Sequence, residues 1–212
     1  MVKDTTNEEK GYAKINLALH VTGIQADGYH ALDSIVVFTD VSDRLFFKRS
    51  LKNVVTLTGE FSKSINVREN SILQALKLFG NGLTDSFSIN LEKNLPIGAG
   101  LGGGSADAAA VIRFITNNSK HLMPSSEALS KIGADIPACV LSVASRVGGI
   151  GEIVRPLDIS EINLWVVLVN PDIFVSTGSI FEEVTEKYNQ PLESFIDLSS
   201  TDQFIDYLKR QR

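Results

Sequence analysis

A glycine-rich segment near the middle of the chain has the composition of an anion-binding loop. Its residues are Pro96, Ile97, Gly98, Ala99, Gly100, Leu101, Gly102, Gly103, Gly104, Ser105 and Ala106. Glycines lack Cβ atoms, so successive backbone N–H groups can converge on one oxyanion. The small residues that follow predict a helix, whose unsatisfied N-terminal donors and positive dipole end attract phosphate. The Ser105 hydroxyl can donate to the same group. The segment therefore predicts a phosphate site between a strand and a helix.

Other kinds of glycine-rich segment fit this pattern less well. No Gly-Lys-Ser/Thr follows the glycines, so it is not a Walker A loop. The surrounding strands do not alternate with helices as a dinucleotide-binding βαβαβ unit requires. The structural alternative is a flexible turn that lets strand and helix pack closely. Five glycines followed by Ser-Ala-Asp-Ala-Ala-Ala favour phosphate binding over that alternative.

Lys14 and Asp135 are a candidate pair for phosphoryl transfer. Lys14 lies between apolar residues in a run with a period of two, and Asp135 lies within Gly133-Ala-Asp-Ile-Pro137. An aspartate can accept the proton of an acceptor hydroxyl. A nearby lysine stabilises that carboxylate and the charge on the transferred group. A solvated strand lysine and a helix N-cap aspartate are the structural alternatives, which spacing alone leaves open.

Four further residues are candidates for holding a substrate. Asn16 is two positions from Lys14, so a strand places both side chains on one face. Tyr29 and His30 follow an Asp-Gly turn, where an aromatic ring and an imidazole can stack on a base and bond its edge. A loop anchored by a half-buried tyrosine is the alternative. Phe181, after Ser176-Thr177, is more often a core residue than a ring that stacks on a ligand.

Hydrophobic periodicity and turn residues predict a mixture of strands and helices. The class is α+β with mixed sheets. Strands are expected at 11–22, 35–38, 44–48, 54–58, 87–91 and 164–169, the last as a buried strand. Helices are expected from a cap at Asn70 or Ser71 to Gly80, from Ser105 onward, from Ser125 or Ser126 to Gly133, from Asp135 through Val140, and over 204–212.

Composition excludes several function classes. The net charge is −5, which argues against broad binding to nucleic acid or to an anionic membrane. Cys139 is the only cysteine, so an internal disulfide and a thiol cluster for zinc are both excluded. The N-terminus does not resemble a secretory signal, and no apolar run reaches the roughly 20 residues that span a bilayer. The expected location is the cytoplasm.

The motifs, taken in order, resemble those of one enzyme family. They are Ala13-Lys-Ile-Asn-Leu-Ala-Leu-His20, Asp27-Gly-Tyr-His30, Leu95-Pro-Ile-Gly-Ala-Gly-Leu-Gly-Gly-Gly-Ser-Ala-Asp107 and Gly133-Ala-Asp-Ile-Pro137. They resemble the GHMP kinase superfamily and, within it, the 4-diphosphocytidyl-2-C-methyl-D-erythritol kinases of the non-mevalonate isoprenoid pathway. The glycine-rich segment points only to the superfamily. The lysine strand together with Asp-Gly-Tyr-His singles out the cytidyl-erythritol kinases.

This resemblance implies transfer of the ATP γ-phosphate, with Mg²⁺, to the 2-hydroxyl of a cytidyl-diphosphate-linked methylerythritol. It implies Lys14 and Asp135 as the catalytic pair and Pro96–Ala106 as the ATP phosphate loop. Asn16 would contact the erythritol, and Tyr29 and His30 would hold the cytosine with Phe181 over its other face. No nucleic-acid or membrane partner is expected. A homodimer is carried as an expectation that the residues themselves do not decide.

The implied fold has two domains. Residues 1–157 would form an N-terminal ATP-binding domain like domain 2 of ribosomal protein S5, and 158–212 would begin a ferredoxin-like C-terminal domain. Members of the family continue with an Asn-Asp-Leu segment and a second Gly-Ser-Gly-rich loop, which this sequence lacks. The C-terminal domain is therefore expected to be truncated or incompletely observed. The alternatives are another GHMP kinase, such as one for homoserine, and a nucleotide-binding fragment without turnover; a dinucleotide-dependent oxidoreductase is a remote fourth.

Overall fold

The structure, a computed structural model, describes residues 7–64, 71–80, 85–170, 173, 175–194 and 200–211. The strands are β1 (Asn7–Ile24), β2 (His30–Ser50), β3 (Val54–Thr58), β4 (Ser86–Glu92), β5 (Ser145–Gly149) and β6 (Ile153–Pro156). The helices are α1 (Ser71–Leu78), α2 (Gly103–Asn118), α3 (Ser126–Ser130), α4 (Ile136–Leu141), α5 (Thr177–Glu183) and α6 (Thr201–Arg210), with a 3₁₀ turn at Ser62–Ser64.

One sheet of six strands organises this fold, and β2 is its central member. β1 pairs antiparallel with β2 along nearly its whole length. Near its two ends, β2 also pairs with β4 and with β5, which must therefore lie on the edge opposite β1. β3 pairs parallel with β4, and β6 extends the sheet from β5. The long β1–β2 hairpin is thus the frame to which the other elements attach.

The main core lies between the sheet and α2. Ala108, Ala109 and Ala110 have no solvent exposure, and their small side chains let the helix approach its neighbours closely. Phe114 of α2 stacks on Phe47 of β2, with ring centroids 3.8 Å apart. Helix α2, which follows the glycine-rich segment, is therefore enclosed on most sides. The first turn of α2 is therefore held in one position by the surrounding core.

A second core joins the C-terminal part of the chain to the sheet. Ile35 of β2 is buried with Leu192, Phe204 and Tyr207. The Arg146 guanidinium binds both carboxylate oxygens of Asp33, at 2.8 and 2.6 Å, and donates to the backbone carbonyls of Leu192 and Glu193. Leu192, Phe204 and Tyr207, which all follow Pro156, therefore pack on the sheet. The division into domains at 157/158 stays a prediction.

Most expected elements are present with changed bounds. The strands expected at 35–38 and 44–48 are parts of the single strand β2, and β5, β6 and α5 were not expected. Ser125 caps α3, as its spacing indicated, by accepting from the Ala128 N–H. The candidate cap Asn70 lies outside the described residues.

The expected buried strand at 164–169 is wrong. These residues form no regular element, and Trp165, Val167 and Val169 are 100%, 86% and 87% exposed. A strand requires a neighbour that accepts its backbone hydrogen bonds. The described sheet ends at β6, and no strand in the described part of the chain pairs with this segment. Apolar composition alone therefore led to a wrong prediction for 164–169.

Within the described ranges, no helix is both long and apolar enough to cross a bilayer.

Candidate functional site

The glycine-rich segment forms a loop that ends at the N-terminus of α2. Gly98, Gly100 and Gly102 have φ values of 69°, 73° and 65°, a left-handed conformation that residues with a Cβ rarely adopt. Gly102 is the N-cap of α2, and no side chain caps the helix there. The first N–H groups of α2 thus remain available at the loop, as an anion-binding site requires. The structure therefore agrees with a phosphate loop and also explains the alternating glycines.

Two hydrogen bonds and one close approach hold this loop against the rest of the molecule. The backbone N–H of Lys14 donates to the Leu101 carbonyl at 2.9 Å. The Ser71 hydroxyl donates to the Gly104 carbonyl at 2.6 Å. A Cβ on Gly133 would lie 3.2 Å from Ser105 Oγ, so the segment leading to Asp135 passes directly beside the loop. The glycine-rich loop is therefore held against β1, α1 and the segment before α4.

Lys14 and Asp135 meet at the edge of this loop. Lys14 Nζ lies 2.7 Å from Asp135 Oδ1, across 121 positions of sequence. The lysine side chain is 5% exposed and that of the aspartate 41%, so a buried cation supports a carboxylate that solvent can reach. A Cβ on Gly102 would lie 3.4 Å from Lys14 Cβ and 3.6 Å from Asp135 Oδ2. The pair thus lies against the last loop residue before α2.

This geometry rejects both structural alternatives for the pair. Asp135 precedes α4, but its side chain makes no capping hydrogen bond to that helix. Lys14 is buried rather than solvated. Shifts in the β1–β2 register on either side of Lys14 interrupt the regular alternation of the strand. Burying an ammonium is costly without a charged partner, and here Asp135 is that partner.

Asn16 lies beside the pair, as the strand period indicated. Its side-chain Oδ1 accepts from Lys14 Nζ at 3.3 Å and from the Ser34 hydroxyl at 3.1 Å. Because both contacts use the oxygen, the amide nitrogen points away from Lys14. Ser34 is 2% exposed and was missed in the sequence. A serine inside an apolar strand gives no pattern that would reveal it.

Tyr29 and His30 lie at the turn that joins β1 to β2. Tyr29 is 61% exposed, and Asp27 Oδ1 accepts from its backbone N–H at 3.1 Å. The His30 ring stacks on Phe181 of α5, with centroids 5.2 Å apart and planes 24° from parallel. A base between these two rings would need them about 7 Å apart, two carbon–carbon contact distances. Phe181 therefore packs on His30 itself. His30 Nε2 is buried without a hydrogen-bond partner in the described structure.

A buried charge cluster beneath the loop was also missed in the sequence. It consists of Asp43, Lys93 and Asp107, which are 0%, 3% and 2% exposed. Lys93 Nζ donates to Asp43 Oδ2, and to Asp107 Oδ2 at 2.9 Å. The pKa of Asp107 is raised to about 7, chiefly by burial and in part by the charge of Asp43, while Lys93 opposes the rise. Burial alone would lower the pKa of Lys93, but Asp107 and Asp43 outweigh it and raise that pKa.

One signal could have revealed this cluster. Asp43 shares its face of β2 with the buried Leu45 and Phe47, and Lys93 continues the buried alternation of β4 through Ile89 and Leu91. A charged residue on the apolar face of a strand must have a buried partner of opposite charge.

Comparison with known proteins decides the family. Over 202 residues the chain is 39% identical to a 4-diphosphocytidyl-2-C-methyl-D-erythritol kinase of Cereibacter sphaeroides, covering 94% of this chain and 72% of that protein. The chain belongs to this kinase family. The kinase of that name from Paracoccus denitrificans is 40% identical, over 96% of this chain and 71% of its own length. The one from Rhizobium johnstonii is 43% identical, over 87% and 63%.

The fold agrees with membership of the 4-diphosphocytidyl-2-C-methyl-D-erythritol kinases. Residues 70–151 match the GHMP kinases N terminal domain. A crystal structure of a 4-(cytidine 5'-diphospho)-2C-methyl-D-erythritol kinase superimposes with a TM-score of 0.68 at 28% identity, over 88% of this chain and 68% of that one. The expected α+β GHMP kinase class is therefore confirmed. The range 70–151 contains the glycine-rich loop, α2 and Asp135.

Proposed function

We propose that this chain transfers the γ-phosphoryl group of ATP to the 2-hydroxyl of 4-diphosphocytidyl-2-C-methyl-D-erythritol, a step of non-mevalonate isoprenoid biosynthesis. The observation that carries the proposal is the Lys14–Asp135 pair, 2.7 Å apart, at the edge of a loop with free helix N-terminal donors. This is the arrangement of groups that phosphoryl transfer needs. Family membership supplies the identity of the acceptor.

The residues of the pair have different roles in this mechanism. Asp135 Oδ2, the oxygen that Lys14 does not bind, accepts the proton of the acceptor hydroxyl as the hydroxyl oxygen bonds to the γ-phosphorus and ADP leaves. Lys14 holds the aspartate through its other oxygen and balances the negative charge that develops on the phosphoryl group. The loop from Pro96 to Ala106 holds the ATP phosphates. Asn16 donates from its amide nitrogen to the erythritol.

The cytosine is assigned to Tyr29 and His30. The exposed ring of Tyr29 offers a stacking surface, and the His30 side chain, whose buried Nε2 has no partner in the described structure, would turn to bond the edge of a base. Phe181 supports His30 by stacking on it and in that way takes part in the same subsite. A site for another small alcohol, such as homoserine, would have no use for these groups. Competition by CMP therefore separates the two kinase hypotheses.

Magnesium, location and assembly complete the proposal. Mg²⁺ is held mainly by substrate phosphates with one or two carboxylates. The described residues contain no group of three or more histidine, cysteine, aspartate or glutamate side chains suited to a metal, so the ion would enter with ATP and neutralise phosphate charge. The cytoplasm, a homodimer and the absence of nucleic-acid and membrane partners remain expectations.

The direct test is ADP formation from ATP, which should depend on the cytidyl-linked acceptor and decrease when CMP competes. Asp135→Asn should lower kcat by about a hundredfold or more, the range of general-base catalysis. ADP and CMP should still bind to that variant, which shows that it is folded. Asp206→Asn, on the exposed face of α6, is the matched control and should keep full activity. Full activity in Asp135→Asn would remove Asp135 from the mechanism, and indifference to CMP would remove Tyr29 and His30 from the acceptor site.

A further inference from the structure

The buried charge cluster of Asp43, Lys93 and Asp107 reaches both ends of the phosphate loop. At the entry, Asp43 Oδ1 accepts from the backbone N–H groups of Asn94 at 2.6 Å and Leu95 at 2.8 Å, the residues just before Pro96. At the exit, Asp107 extends from the second turn of α2 to Lys93 Nζ. One ammonium thus connects the residues that precede the loop with the helix that follows it.

Lys93 also lies directly under the first residue of α2. A Cβ on Gly103 would be 3.0 Å from Lys93 Nζ and 3.7 Å from Asp43 Oδ2. The absence of a side chain at Gly103 is therefore what allows the ammonium to approach the helix terminus. The N–H groups of that turn face the loop, so the charge of the cluster lies just behind the donors that would hold phosphate.

The charges in the cluster do not cancel. Two carboxylates surround one ammonium, so the fully ionised cluster carries one excess negative charge in a space without solvent. Asp107 Oδ1 is buried without a hydrogen-bond partner in the described structure. It faces Gly11 of β1, where a Cβ would lie 3.0 Å from it. A buried charge acts over a longer distance than a solvated one because no water screens it.

We propose that Lys93 is a positioning residue for the nucleotide: held by Asp43 and Asp107, it fixes the phosphate loop and sets the electrostatic potential under the bound phosphates. This inference rests on the proposed kinase function. The positive and negative charges of the cluster should have opposite effects on the affinity for the nucleotide. Lys93 strengthens the binding of a polyanion, whereas the ionised carboxyl of Asp107 weakens it.

The test is the affinity for ADP, measured by calorimetry without turnover at about pH 8.5. Asp107 is ionised there, because its pKa is raised only to about 7. Lys93→Met should weaken ADP binding by about tenfold or more. Asp107→Asn keeps an oxygen for Lys93 but removes the excess charge, and should tighten ADP binding by about threefold. Binding of CMP, at the acceptor side, should change in neither variant. A purely structural role for the cluster would instead weaken ADP binding in both variants.

Glu9→Gln is the matched control. Glu9 lies 3.3 Å from Arg113 of the same helix α2, ten residues or about 15 Å beyond Gly103. Loss of its charge should leave ADP affinity unchanged. If Lys93→Met fails to fold because its carboxylates are left unpaired, Asp107→Asn decides alone: unchanged or weaker ADP binding overturns the inference. Wild-type protein that binds no ADP would instead contradict the proposed function.

Discussion

Asp107 carries a carboxyl group that folding makes harder to ionise. Burial raises its pKa to about 7, whereas in the unfolded chain it returns to the ordinary aspartate value of about 3.9. The folded state therefore binds a proton that the unfolded state releases. Its contribution to stability is complete below about pH 4 and is lost as the pH rises through about 7.

Asp107→Asn cannot lose this proton, so its stability relative to wild type should increase with pH. We expect the difference in free energy of unfolding between variant and wild type to be about 1–2 kcal/mol more favourable to the variant at about pH 8.5 than at about pH 5.5. Urea denaturation at the two pH values measures it. Glu9→Gln should show a constant difference, and a constant difference for Asp107→Asn as well would contradict the raised pKa.

The turn between β5 and β6 lies against the backbone next to Asp135, the proposed catalytic aspartate. Gly151 has a φ of 120°, and a Cβ there would lie 2.1 Å from the Ala134 carbonyl oxygen. Ala134 immediately precedes Asp135 in the sequence. The position of Asp135 therefore depends on the backbone of the turn between β5 and β6.

Gly151→Ala should displace Ala134 and lower kcat by about tenfold or more, because a small misplacement of a catalytic group is costly. Gly80→Ala is the control: it also has a positive φ, of 53°, but a Cβ would meet nothing within 4 Å. The control should lose only the roughly 1–2 kcal/mol of left-handed strain and keep its kcat. Steady-state kinetics and thermal melts of the two variants compare these effects. Equal kcat values would show that Asp135 does not depend on the turn.

The sequence predicted local features better than contacts between distant parts of the chain. The period of two in β1 correctly placed Asn16 beside Lys14, because neighbouring positions on one strand face are a local property. The contact of Lys14 with Asp135 could only be proposed, since nothing local joins them. The cluster around Lys93 was missed because it joins two strands and a helix, and no sequence spacing reports such a meeting. The segment 164–169 failed for a related reason: strand formation depends on a partner strand.

At the scale of the whole molecule, the apolar segment 164–169 forms an exposed surface among the described residues. Trp165, Val167 and Val169 are exposed one after another along the chain, and exposed apolar runs of this kind promote self-association.

Val167→Lys combined with Val169→Lys should reduce concentration-dependent association without loss of thermal stability, because neither side chain is packed. Leu51→Lys replaces an exposed apolar residue in the loop between β2 and β3 and should leave association unchanged. Sedimentation velocity over a concentration series distinguishes them. Equal association in all three proteins would show that the segment has no part in it.

The separation of 121 positions between Lys14 and Asp135 has a consequence for how the protein is made. During synthesis the lysine leaves the ribosome long before the aspartate exists, and the glycine turn that supports the aspartate follows later still. Closing so long a loop costs entropy that no short-range contact repays. Nascent chains shorter than about 150 residues would therefore hold an unpaired lysine in β1. Catalytic competence would arise at one late point of translation, after most of the sheet has been synthesised.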